Sequence, residues 1–295
     1  MKNRTPVILI IILLLGAFLR IYALSDESFW IDESETVYAS QQKSFYPILK
    51  NIFTTNNAAP EYFVEVGGGG AMPFYFLIAY YWTKLFGISE FKLRLLSVLF
   101  GIASIYLTYI VGKITFNQKV GVISAFLIAI NYQHIYFSQE ARNYALLVFL
   151  TLLNVYCLIK ALKENKNTLW ISYVVVSILM LYTHYLSFFI LGFEYLFIFV
   201  YWKTYKKYLK NIIYSGIAIF LFYLVWVPAF VKQLSNTEYS YSYLYNPTIK
   251  LLAEMFVQIN SWISPDITTR VALRNMNFAS VTLLGWILIF CVVSI

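Results

Sequence analysis

Long apolar runs alternate with short polar turns along most of this chain. The first run covers residues 6–24, behind Lys2 and Arg4. Others follow at about 72–87, 92–112, 119–137, 144–162, 168–184, 186–202, 211–231 and 278–295. A bilayer-crossing helix needs about 20 apolar residues, and most of these runs meet that length. The pattern predicts an all-α, polytopic transmembrane bundle with about eight spanning helices, forming one domain over residues 1–295. Two connections are long, 25–71 and 232–277. The chain ends within an apolar run at Ile295, so we expect it to have once continued or to belong to a longer protein.

Composition agrees with the pattern. Of 295 residues, 60% are apolar and only 12% charged, against about 45–50% and about 25% in soluble domains. The mean hydropathy is +0.68. A soluble enzyme, a disordered chain and a disulfide scaffold are excluded. The net charge of +8 does not indicate nucleic acid, because Lys and Arg sit in short clusters between apolar runs, where they set topology. Cys157 and Cys291 lie inside apolar segments and read as small core residues.

Run 6–24 lacks a small-residue cleavage site and is long for a signal peptide. It reads as a retained helix with a cytoplasmic N-terminus, and Arg20 is expected to snorkel at its outer end. The basic clusters are Lys113 with Lys119, then Lys160, Lys163 and Lys166, then Lys203, Lys206, Lys207 and Lys210. All three become cytoplasmic if 72–87 lies at the interface or re-enters instead of crossing. Pro73 and the aromatic body Tyr75, Tyr80, Tyr81 and Trp82 suit that placement. The outer face then gathers the loop 25–91 with its interfacial helices, the turn 138–143, the connection near His184, and the loop 232–277. This predicts a multi-pass cell-membrane protein whose chemistry lies on the extracytoplasmic side.

That side carries the unusual residues. Five carboxylates fall within Asp26–Glu35, and loop 25–91 has eight acids against three lysines. A carboxylate at the bilayer surface can take a proton from a hydroxyl nucleophile, so Asp32 and Glu33 are candidates for catalysis. A solvated acidic loop is the plain alternative. The turn Gln139-Glu140-Ala141-Arg142 is the second constellation. Arg142 suits a phosphate, and Glu140 suits sugar hydroxyls or a metal; the two could instead simply pair. His184 and Tyr144 are further donor-binding candidates beside Gln139. Glu194 lies within an apolar run, where an ionisable group suggests function. The tyrosines at 239, 241, 243 and 245 share one face if extended. Gly67–Gly70 reads as a hinge, since no Lys-Ser/Thr follows to make a phosphate loop. The only cofactor left open is a divalent cation, Mg or Mn, with Asp32 and Glu140 as its ligands.

One order of motifs ties these together: an apolar first helix, Phe29-Trp30-Ile31-Asp32-Glu33-Ser34-Glu35-Thr36, Pro73-Phe74-Tyr75, Phe86-Gly87 with Glu90-Phe91 and Arg94-Leu95, then His134 through Tyr144. Over about residues 5–200 the chain resembles membrane glycosyltransferases of the GT-C superfamily, in the branch related to dolichyl-phosphate-mannose protein mannosyltransferases and the lipid A aminoarabinose transferase. The resemblance implies inverting sugar transfer from a polyprenyl-phosphate carrier to an acceptor hydroxyl on protein, lipid or glycan. It implies Asp32 as base, Glu33 beside it, and Glu140 and Arg142 near the donor phosphate. One departure is Ala71-Met72-Pro73, where many relatives have His-Pro-Pro. Two other readings remain at this level: a transporter or flippase, which Glu194 alone favours, and a non-catalytic scaffold. Replacing Asp32 separates the three.

Overall fold

The computed structural model describes residues 4–46, 49 and 72–235. All regular structure among them is helical. The apolar run 278–295, the loop 232–277 beyond Ser235, Gly67–Gly70 and the four tyrosines at 239–245 lie outside the described residues.

Helix α1 (Thr5–Ile21) begins with a proline in its first turn. Its buried positions Leu9, Ile12, Gly16 and Arg20 recur every three or four residues, one stripe of a helix. The opposite side shows Val7, Ile11, Leu14 and Phe18 to the surroundings. Helix α2 (Ile31–Gln41) and helix α3 (Pro73–Phe86) pack against each other. Helix α3 has 14 residues, about 21 Å at 1.5 Å per residue, short of the roughly 30 Å hydrocarbon layer.

Helix α4 (Glu90–Thr115) and helix α7 (Tyr144–Glu164) form the long central pair. Among the described residues they are the two helices long and apolar enough to cross a membrane alone. Between them stand α5 (Gln118–Ile130) and α6 (Tyr132–Ser138), bent by 62° at Asn131. Then come α8 (Asn167–Leu181), α9 (Ser187–Val200), α10 (Trp202–Tyr205), a 3-10 turn (Lys206–Tyr208), α11 (Leu209–Leu224) and α12 (Val227–Ser235). Counting each bent pair as one span gives up to four among the described residues, fewer than the pattern of runs predicts. Helices α1 and α8 are apolar but shorter, at 17 and 15 residues.

The packing is that of a chain in lipid. Phe189, Phe193, Phe199 and Phe220 are exposed, while Ser97, Ser104, Asn154 and Ser177 are buried. Where α4 crosses α5, a side chain on Gly112 would strike the backbone of Gly121 at 2.9 Å, so two glycines let these helices meet backbone to backbone.

Arg20 corrects the expectation that it reaches for the interface. It is fully buried. Its guanidinium donates to the carbonyls of Gly16, Ile128 and Ala129, at 2.9–3.0 Å, and meets His134 Nδ1 at 2.7 Å. The cause is the bend. Breaking the helix at Asn131 leaves the carbonyls at the end of α5 without helical donors, and Arg20 supplies them.

Candidate active site

The site starts with α2. Trp30 precedes it in extended conformation, and the Glu33 carboxylate accepts the Trp30 backbone N–H at 3.3 Å, the reciprocal half of a capping box. Three acids then occupy the first turn and a half. Each has a different environment.

Glu33 is completely buried. Arg94 grips it with two bonds, Nε to Oε1 at 2.9 Å and Nη2 to Oε2 at 2.6 Å. Oε1 also accepts the Ala141 backbone N–H at 2.7 Å. Arg94 spends its remaining N–H groups on the carbonyls of Leu24, Glu27 and Ser28, at 2.8–3.1 Å, and lies over the Phe29 ring at 5.6 Å. All five donors of a guanidinium are thus engaged. Glu33 and Arg94 together fasten the 24–28 segment, α2, α4 and the 139–143 turn into one unit.

Glu35 is buried and pairs with Arg142 Nη1 at 2.6 Å. Burial raises its carboxyl above the ordinary carboxylate range, opposed by Arg142. Arg142 also donates to the Asp32 backbone carbonyl at 2.8 Å. Its cation is held up by the Glu35 charge and hydrogen bond despite burial, and its Nε is buried with no hydrogen-bond partner among the described residues. The expected alternative, a pair between Glu140 and Arg142, is not what forms; Glu35 takes that place.

Asp32 is half-buried. Its side chain has no hydrogen bond or ion pair among the described residues, although Glu33, Glu35, Glu140 and Arg142 surround it. Glu140 is buried, and its Oε2 has no hydrogen-bond partner among the described residues. Burial pushes its carboxyl up to about 7, with Glu33 and Asp32 adding to the rise and the Tyr136 hydroxyl and Arg142 opposing it.

The turn that carries these groups is itself pinned. Gln139 donates to the carbonyls of Tyr22 at 2.9 Å and Arg20 at 3.3 Å, which ties it to the end of α1 and gives it a bracing position. Thr36 donates to Ala141 O at 2.8 Å. Asn143 donates to Thr183 O at 2.7 Å, so the connection holding His184 joins the same end. His184 lies 6.2 Å from the Tyr144 ring, and its Nδ1 accepts the Leu186 N–H. Burial, and then the nearby Arg142, lowers its affinity for a proton. Rings continue from there: Tyr144 to Phe137 at 4.8 Å, Phe137 to Tyr136 at 5.4 Å, Tyr136 to Tyr132 at 6.1 Å. Three segments separated by up to 150 residues therefore converge as the sequence pattern predicts.

Asp26 and Glu27 stay exposed at the rim. Glu194 belongs elsewhere. It accepts the Tyr173 hydroxyl at 3.0 Å and faces the Asn154 amide at 2.8–2.9 Å, a polar cluster inside the bundle. Among the described residues no group of three His, Cys, Asp or Glu is arranged to hold a metal; two of the four site carboxylates, Glu33 and Glu35, face arginines. Sequence reasoning names Arg94 and Glu35 only within the motifs of the resemblance and gives neither a place in the site. The signal was available: an arginine near the start of a 26-residue apolar helix, once buried against its neighbours, needs an acid.

A helical membrane bundle with a carboxylate and arginine cluster at one end defines a class, and comparison with known proteins agrees with it. The family described as dolichyl-phosphate-mannose-protein mannosyltransferase matches residues 71–229, more than half of the chain, and the chain belongs to that family. Glu140, Arg142 and His184 fall inside the match; Asp32–Glu35 precede it. Two Bacillus subtilis (strain 168) proteins named as candidate mannosyltransferases, YycA and YkcB, are each 28% identical, over 164 and 166 residues. The alignments cover 56% of this chain but only 23% and 22% of those proteins.

Proposed function

We propose that this chain is the catalytic membrane portion of a glycosyltransferase that moves a sugar, with inversion, from a polyprenyl-phosphate carrier to an acceptor hydroxyl on the extracytoplasmic face. The acceptor is a protein, lipid or glycan. The observation that carries the reading is the division of labour among the acids: Glu33 and Glu35 are held by arginines, and Asp32 is left half-buried without a partner among the described residues.

In this reading Asp32 is the general base. It accepts the acceptor's hydroxyl proton as the oxygen attacks the anomeric carbon, and the bond from that carbon to the carrier phosphate breaks. The phosphate leaves as an anion, and Arg142 meets its charge. A polyprenyl phosphate keeps its headgroup at the bilayer surface, so the chemistry belongs at helix ends, where these groups stand. Glu33 acts as a positioning residue: its oxygens are committed to Arg94, Ala141 and Trp30. Glu140 binds a donor hydroxyl. The ring series Tyr132, Tyr136, Phe137, Tyr144 and His184 offers apolar faces beside Arg142 for the sugar or the first isoprene units.

The test is transfer from labelled polyprenyl-phosphate sugars in membranes carrying the chain. The parent should move label to acceptor. Asp32→Asn should lose roughly 100-fold or more, the scale of general base catalysis, and Arg142→Ala should lose transfer as well. Parent-level activity in Asp32→Asn would remove Asp32 as the base.

A further inference from the structure

The end of the bundle away from the carboxylates carries its own signal. Helices α4 and α7 each run from the acidic site to the opposite end, about 30–40 Å at 1.5 Å per residue. At that far end three lysine clusters meet. Lys163 donates to the Ile114 carbonyl at the end of α4, beside Lys113 and Lys119. Asn211, next to Lys210, donates to Asn165 at 3.0 Å, next to Lys166. The α7–α8 turn, the α4–α5 turn and the start of α11 are therefore one rim.

Nine lysines stand on it: Lys113, Lys119, Lys160, Lys163, Lys166, Lys203, Lys206, Lys207 and Lys210. Glu164 is the single acid among them, and it pairs with Lys160 and Lys166. The chain has 22 Lys and Arg and 14 Asp and Glu. Setting aside these nine and this one leaves 13 of each, so the rim accounts for the whole net charge of +8. Lysines that only set topology need not cluster so closely. Here Lys203, Lys206, Lys207 and Lys210 fall within eight residues, are all exposed, and alternate with Tyr201, Trp202, Tyr205 and Tyr208. Aromatic rings of that kind sit at the headgroup level, and the chain turns by 85° at Tyr201 between α9 and the Trp202–Leu224 helix.

We infer that this rim is a binding surface for anionic phospholipid headgroups, with the Tyr201–Lys210 segment as its core. The chemistry is a lysine ammonium against a lipid phosphodiester, flanked by rings at the ester level. Each lysine near an anionic surface strengthens binding roughly fivefold. The surface is separate from the proposed sugar-transfer site.

The full chain, purified in mild detergent, should be given equal amounts of phosphatidylglycerol and phosphatidylcholine with the same acyl chains. Native mass spectrometry then counts the lipids retained. The parent should keep phosphatidylglycerol over phosphatidylcholine by about tenfold or more. Joint Lys203→Gln, Lys206→Gln, Lys207→Gln and Lys210→Gln substitution should bring the two to near parity, and the corresponding Lys→Arg set should keep the preference. If the glutamine variant fails to fold, the parent in about 1 M salt, where screening falls to about 3 Å, should lose the preference. No preference in the parent, or one that survives both the substitution and the salt, would overturn the inference.

Discussion

Arg94 and Glu33 face each other across 61 positions of sequence in a bidentate pair, with Glu33 wholly enclosed. The pair joins the start of α4 to the start of α2. It also holds three loop carbonyls and the Ala141 N–H. Removing either partner strands a buried charge, which costs about 3–5 kcal/mol. Arg94→Ala and Glu33→Ala should therefore each lower thermal stability in detergent sharply. Glu33→Gln keeps two oxygen and nitrogen sites of similar shape and should cost less than Glu33→Ala. If Arg94→Ala melts with the parent, the pair does not brace the site.

Arg142 has a different dependence on shape. It reaches the Asp32 carbonyl and the Glu35 carboxylate through the same nitrogen, and in the proposed reaction the planar guanidinium meets the phosphate charge. A lysine keeps the charge but loses the planar fork. Arg142→Lys should keep the fold while transfer falls about 10- to 100-fold, the worth of one charge-assisted hydrogen bond. Steady-state rates against donor concentration check this. Glu35→Gln should weaken the hold on Arg142 without removing it, giving a smaller loss than Arg142→Lys.

Glu140 makes stability depend on pH near neutrality. Its carboxyl titrates at about 7 in the folded chain, against an ordinary value of 4.5. Between those values the folded state keeps a proton that the unfolded state releases. Stability therefore falls as pH rises from about 4.5 to about 7, and the loss is complete above that. Melting temperatures across pH 5–8 should decline for the parent. Glu140→Gln should flatten the decline; Glu35, raised by burial, adds to it, and His184, whose proton affinity burial lowers, opposes it. An unchanged slope in Glu140→Gln would contradict the burial argument.

The helices were legible because lipid imposes a strong pattern: every long described helix falls on an apolar run. The convergence of α2, the 139–143 turn and the His184 connection was legible too, since basic clusters mark one end and leave the acids at the other. Pairings were not. Nothing in the run Asp32-Glu33-Ser34-Glu35 tells which acid meets Arg94 and which meets Arg142, because helical phase and tertiary packing decide that. Arg20 was misread for a similar reason. Its need is created by a helix break more than 100 residues away, at Asn131.

Arg20 supports the last prediction. Its side chain serves the Gly16, Ile128 and Ala129 carbonyls, and no acid pairs with it among the described residues. Arg20→Leu would leave the Ala129 carbonyl, freed by the 62° bend, without this donor and the Ile128 carbonyl with only the long 3.4 Å bond from the Asn131 N–H, at about 1–3 kcal/mol for a buried group left unpaired. The neighbourhood leaves little room to adjust. A methyl on Gly101 would sit 2.3 Å from Ser138 Oγ and 3.2 Å from Arg20 Nε, so Gly101→Ala must displace the end of α6. Both variants should lower the melting temperature. Both should also weaken sugar transfer, because Gln139 hangs from the Arg20 and Tyr22 carbonyls and carries the turn with Glu140 and Arg142. Arg20→Lys should recover part of the stability, since a lysine can donate to one or two of the carbonyls. Parent-like melting and transfer in Arg20→Leu would show that the bend does not depend on this side chain.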